Sequence, residues 1–301
     1  MESSGLHRYC LLFAACTLFL VVAGALVTSH DAGLSVPDWP LSYGKLMPEM
    51  EGGVFWEHGH RMIATTVGLL TIVLAVWLWR RDPRPWMRKL GLTTLGMVIA
   101  QGTLGGLTVL YMLPKPVSVG HACLAQLFFS TTCAIALFTS PMWRRGGRIV
   151  EDQSPGLPLH WISVATSLAL FCQLALGAAA RHKWIGVIPH ICGAVVATGM
   201  VLWLIVRLLI RHAAHDQLRR PALALLTITF AQVFLGIAAY ISRLVTADAP
   251  QPMPVMVLFT VLHVAVGALT LAIGILTTIQ VFRYVHGTEE VEAVSGVPVA
   301  S

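Results

Sequence analysis

Eight stretches of about 20 mainly apolar residues, long enough to cross the hydrocarbon core of a bilayer as helices, lie at about 9–28, 60–79, 90–110, 119–140, 160–180, 187–210, 221–241 and 255–282. Few folds can accommodate a chain that carries eight of them. Only 11% of the residues are charged and 56% are hydrophobic, whereas the surface of a soluble protein needs about a quarter charged residues. With a mean hydropathy of +0.75, the expectation is an all-α integral membrane protein: eight transmembrane helices arranged as two tandem, parallel-repeat four-helix bundles.

Lys and Arg are retained on the cytoplasmic side of a membrane. Fourteen of them flank one side of the spans, including Arg80, Arg81, Arg84, Arg88 and Arg144; six flank the other, Lys45, Arg61, Lys115, Arg181, Lys183 and Arg243. This bias puts both termini in the cytoplasm of a cell-membrane protein. The net charge of +6 is the same bias, and no basic cluster interleaved with aromatics suggests a nucleic-acid surface. Small residues after the first apolar run, Ala23, Gly24 and Ala25, permit a cleaved signal reading, but that helix is needed to complete the first half of the repeat. All six cysteines fall inside apolar spans rather than in exported loops where disulfides form, and are expected to be buried packing residues. In His121-Ala122-Cys123 and His190-Ile191-Cys192 the paired side chains point to nearly opposite helix faces, so the thiols are not read as ligands.

The repeat is visible in register. His60 and His190 differ by 130 positions, the Ala100–Gly105 and Ala231–Gly236 segments (A-Q-x-x-L-G) by 131, and His121 and His263 by 142. Each half has an even number of spans, so the two run in the same direction. Residues 1–145 form the first half, with a long exported loop at 29–58; residues 146–301 form the second. His60, His121 and His190 are expected within roughly 5 Å of the outer ends of their helices and His263 about 12 Å in, all toward the outer leaflet.

A strongly polar group inside a span is costly and marks a ligand, an ion path or a relay. A lone membrane histidine is most often a packing residue, but four at matched positions suggest two pairs. Each pair could clasp a flat macrocycle in a bundle core, as porphyrin iron takes axial histidines. Gly120, Gly193 and Gly267 beside these histidines suggest room for the macrocycle plane. Most of the remaining histidines, at loops and span ends, are expected to be solvated.

Only one half has an acid. Glu57 and Arg61 share a helix face with His60, where the second half has Val187 and Ile191. The plain reading is a Glu57–Arg61 salt bridge. The chemical one is a carboxylate that takes a proton or stabilises developing positive charge, with Arg61 holding an anionic group on the ligand or Glu57 itself. The loop of this half, with Trp39, Pro37 and Pro40, is much longer than its counterpart and is expected to form a lid.

Taken together, Glu57-x-x-His60-Arg61, the G-L-S-x-P-D-W-P loop at Gly33–Pro40, the eight spans and one histidine on each even-numbered helix resemble the haem A synthase family of the CtaA/Cox15 type, over nearly the whole chain. The resemblance implies that His190 and His263 ligate a haem b cofactor, that His60 and His121 flank the haem O substrate with Arg61 beside it, and that Glu57 is catalytic. It implies oxidation of the C8 methyl of haem O to a formyl group, giving haem A for terminal oxidases. Its implied partners are haem O synthase, oxidase assembly factors and membrane lipid. Many members carry a loop cysteine pair near the positions held here by Ser35, Val36 and Ser42; this chain has none there. Two rivals are a dihaem b-type cytochrome that only moves electrons, and a haem carrier. Small residues in the spans allow homo-oligomerisation.

Overall fold

In lipid a helix is favoured because it pairs its backbone N–H and C=O groups internally. The computed structural model describes residues 3–152 and 156–287, and eight of its helices are long and apolar enough to cross a membrane. They are α1 (Ser3–Ser29), α2 (Gly52–Arg81), α3 (Pro85–Leu110), α4 (Lys115–Thr139), α6 (Leu159–Arg181), α7 (Ile188–Arg211), α8 (Asp216–Val245) and α9 (Pro254–Tyr284). A single turn, α5 (Pro141–Arg145), follows α4. The protein is an all-α, multi-pass integral membrane protein.

The packing is consistent with a tandem repeat. Helices α1 to α4 close a ring in which α1 meets α4, and α6 to α9 close a second in which α6 meets α9. The first ring is filled by Phe13, Leu74, Leu78, Met87, Phe128 and Ile135, the second by Ile162, Leu204, Leu208, Leu218, Leu225 and Tyr284. The rings meet along α1, α4, α6 and α9, where Val21 and Phe129 pack on Ala268 and Ala272. Small residues on α9 let the backbones approach. At the end of the molecule where α4 finishes, β1 (Val150–Glu151) pairs in parallel with β2 (Val285–His286). Arg283 there donates to the Trp143 carbonyl at 2.6 Å and lies over its ring. Of the two expected halves, residues 1–2 of the first and 153–155 and 288–301 of the second lie outside the described residues.

Helix α2 begins eight residues before its apolar run and α8 five, because apolar windows stop at polar residues that a helix still accommodates when they find partners. His60 therefore lies about 12 Å from the start of α2, not within 5 Å, at roughly 1.5 Å per residue. On the same measure His121 is about 9 Å, His190 about 3 Å and His263 about 14 Å from their helix starts. Among the cysteines, Cys10 is buried as expected, but Cys172 and Cys192 are exposed.

The connection between α1 and α2 spans 30–51 and its counterpart between α6 and α7 only 182–187. At the end of the long loop, Gly52 has φ of +54°, and a Cβ on Gly53 would collide with the Ser35 side chain. The sharp entry into α2 and the close return of the loop therefore both require glycine.

Candidate functional site

Glu57, His60, Arg61, His121, His190 and His263 all line one cavity of about 2450 Å³ that runs through both rings. A drug-sized ligand needs roughly 300–1,000 Å³, so the space suits more than one large group. Each histidine comes from an even-numbered span, and each ring lies against a glycine of the helix before it. A Cβ on Gly24 would stand 3.1 Å from Cε1 of His60, on Gly105 3.3 Å from His121, on Gly177 2.8 Å from His190 and on Gly236 2.8 Å from His263. Four equivalent cradles, one per helix pair, hold four imidazoles edge-on.

The two histidines of the second half lie close together. The His190 and His263 ring centroids are 6.2 Å apart with planes at 84°. Two imidazoles each about 2 Å from a shared metal would place their centres roughly 6 Å apart. Among the described residues no three His, Cys, Asp or Glu side chains converge, so a metal held here must bring its in-plane ligands, as a porphyrin does. Nδ1 of His60, His121 and His263 is buried without a hydrogen-bond partner.

The first-half pair is elaborated. Glu57 is 4% exposed; its Oε2 accepts from the Val36 amide at 2.9 Å and its Oε1 from Arg61 Nη2 at 2.6 Å. Arg61 Nη1 also donates to the carbonyls of Asp38 at 2.8 Å and Leu41 at 2.9 Å. The expected salt bridge exists, and it fastens the loop to α2. Ser42 bonds Nδ1 of His58 at 2.8 Å, and Asp38 accepts from the Tyr43 and Gly44 amides at 2.7 and 2.8 Å. The Gly44 N–H foremost holds the Asp38 carboxyl below the usual range, against an opposing effect of desolvation and with the help of the Tyr43 N–H. Trp39 lines the cavity and packs its indole on Gly106 of α3, where a Cβ would stand 2.7 Å from the ring. The loop covers the first-half end of the cavity.

Two expectations need correction. Gly193 and Gly267 make space for the amides of Gln173 and Gln232, while the space beside Gly120 is open. His58, His212 and His215 are buried instead of solvated: His58 pairs with Ser42 and His215 with the Arg148 carbonyl at 2.7 Å. The sequence reading took Gly105 and Gly236 only as marks of the repeat and assigned no role in the site to Gly24, Gly177 or Gln173. A glycine four residues after a glutamine, on three of the odd-numbered spans, was the available signal.

A family described as cytochrome oxidase assembly protein, COX15-CtaA, matches residues 7–188, a stretch that contains Glu57, His60, Arg61 and His121. The chain belongs to the COX15-CtaA family. It is 30% identical over 255 residues to the heme A synthase of Symbiobacterium thermophilum, covering 74% of this chain and 81% of that protein. The heme A synthase of Lysinibacillus sphaericus is 27% identical over 183 residues, 58% of this chain and 59% of its own. That of Caulobacter sp. is 31% identical over 147 residues, 45% and 43%. The longest of these alignments covers more of the chain than the family match, which ends before His190.

Proposed function

We propose that the protein is a haem A synthase, an oxidoreductase that converts the C8 methyl of haem O to a formyl group. The methyl becomes a hydroxymethyl and then a hydrated aldehyde, each step taking an oxygen from water, releasing two protons and passing two electrons to an external electron acceptor. The hydrate loses water to leave the formyl group. The observation that carries the reading is the difference between the two histidine pairs: one cavity holds both, but only the His60–His121 pair has Glu57, Arg61 and the Trp39 loop beside it. Haem O is the substrate between His60 and His121, and His190 with His263 would hold a haem b cofactor, which when bound supplies one-electron transfer.

The residues divide the work. Glu57, fixed by the Val36 amide and Arg61, offers a carboxylate that takes a proton or stabilises positive charge as the methyl carbon is oxidised, an interaction strongest where water is scarce. Arg61 keeps that carboxylate oriented, and Trp39 with the loop excludes water. Residues 1–145 are the substrate half and 146–301 the cofactor half. Both termini face the cytoplasm, with the haem sites toward the outer leaflet. Haem O synthase and oxidase assembly factors are the partners this places on either side of the reaction.

Glu57→Gln should keep both haem sites filled and stop haem A formation, read by chromatography of haem extracted from expressing cells. Haem A at the normal level would sink the assignment. His190→Ala should remove b-type absorbance from the purified protein while His60→Ala mainly loses turnover; equal loss from both would favour an electron-transfer cytochrome instead.

A further inference from the structure

The four histidine cradles differ in one respect that the pairing into halves hides. Four residues before the glycine, Gln101, Gln173 and Gln232 stand on α3, α6 and α8, and Leu20 stands on α1. All four of these side chains line the cavity, as do the four glycines. Gln101 Nε2 lies 3.4 Å from Nε2 of His121 and donates to the His121 carbonyl at 3.0 Å. Gln173 Nε2 lies 2.9 Å from Nδ1 of His190 and donates to its carbonyl at 2.9 Å, while that Nδ1 is also 3.2 Å from the Gln173 carbonyl. Gln232 Nε2 lies 3.4 Å from Nε2 of His263. Gly193 and Gly267 clear the space that two of these amides fill. Among the described residues no hydrogen bond reaches the His60 ring, and its Nδ1 is buried.

A metal-bound imidazole donates its other ring N–H to an acceptor, which fixes the ring and strengthens the ligand; losing that partner typically costs about 10- to 100-fold in metal affinity. Each glutamine lays its amide against an imidazole nitrogen, Nε2 foremost, and keeps a buried Oε1 with no donor. Turned over, the amide would offer that oxygen to a ring N–H, at the cost on Gln101 and Gln173 of the bond to the histidine carbonyl. Leu20 offers neither donor nor acceptor.

We propose that Gln101, Gln173 and Gln232 are positioning residues that make His121, His190 and His263 fixed haem ligands, and that Leu20 leaves His60 as the exchangeable one, through which substrate haem enters and product haem leaves. This rests on the reading of the four histidines as haem ligands in a haem-modifying enzyme. A cofactor held by two fixed ligands stays. A substrate held by one fixed and one loose ligand is retained for reaction and then released.

The test is haem transfer from purified, haem-loaded protein in detergent to excess haem-free myoglobin, followed in the Soret band. Wild type should release haem in a fast and a slow phase. Leu20→Gln should slow the fast phase about 10-fold or more and leave the slow one unchanged, and Leu20→Met, of similar bulk with no amide, should match wild type. Gln173→Leu should speed the slow phase about 10- to 100-fold. Gln173→Glu, which keeps an acceptor, should hold the haem and lower its reduction potential, a shift that a mere packing role would not produce. An unchanged fast phase in a folded, haem-loaded Leu20→Gln, or Leu20→Met slowing it equally, overturns the proposal. If Leu20→Gln fails to fold, a Gln173→Leu slow phase equal to wild type overturns it instead. Haem A production is scored separately: slowed release without any haem A formation would remove the enzymatic reading and leave the ligand assignment standing.

Discussion

Replacing Gly177 with alanine tests the cradle directly. The new methyl would stand 2.8 Å from Cε1 of His190 and 3.1 Å from its Nδ1, whereas carbon atoms rest at about 3.5–4.0 Å. The ring must therefore retreat by roughly 0.7–1.2 Å, a sizeable fraction of the slack between two imidazoles whose centres are 6.2 Å apart. Overpacking of this kind costs about 1–3 kcal/mol. If that cost falls on the haem-bound geometry, affinity drops roughly 5- to 150-fold at about 1.4 kcal/mol per tenfold. The distances also set an order: Gly177 and Gly236 at 2.8 Å should be most sensitive, then Gly24 at 3.1 Å, then Gly105 at 3.3 Å. Gly96, on α3 outside the cavity lining and with nothing within 4 Å of its Cβ, is the control. Haem content per protein, followed by titration of the haem-depleted protein, reads the effect. Gly177→Ala binding haem within twofold of wild type would refute the reasoning, and so would a loss in Gly96→Ala of equal size.

Arg61→Lys keeps the charge but gives up the planar fork that reaches Glu57 and two loop carbonyls at once; losing two such bonds at about 1 kcal/mol each should raise protease cleavage of the 30–51 loop roughly 30-fold, and cleavage at the wild-type rate would contradict the fastening role. The Asp38 carboxyl is held below its ordinary value, about 3.9 in an unfolded chain, so its contribution to the loop is fully present above that pH and is lost as pH falls through the lowered folded value. Loop protection should therefore be flat from pH 8 to 5 and decline only below about 4, with Asp38→Asn flattening that acid limb; a decline between pH 7 and 5 would show that another group controls the loop.

Much of the fold was legible because membrane burial writes itself into composition: eight apolar runs became eight helices, and the histidines of even-numbered spans came together as matched residues should. Helix starts were not legible where polar residues lead the apolar run, as at Glu57 and His58, since their partners are in the folded loop. The Glu57–Arg61 pair was readable from its spacing of four. The cradle was not, because the packing partner of His60 is Gly24, 36 positions earlier and on another helix, and short-range periodicity contains no trace of it. Gly193 was misread for a related reason: a glycine announces that something approaches closely but not what, and here it is the Gln173 amide.

The cover over the first-half site is fastened by the Val36 amide, the Arg61 fork, the Asp38 turn, the Ser42–His58 pair and the Trp39 contact, and none of these ties involves sulfur. Its integrity is therefore independent of the thiol–disulfide poise of the medium around it. An organism carrying this chain needs no oxidative folding machinery to close the site and no reductant to open it, and protein prepared with or without a thiol reductant should have the same loop.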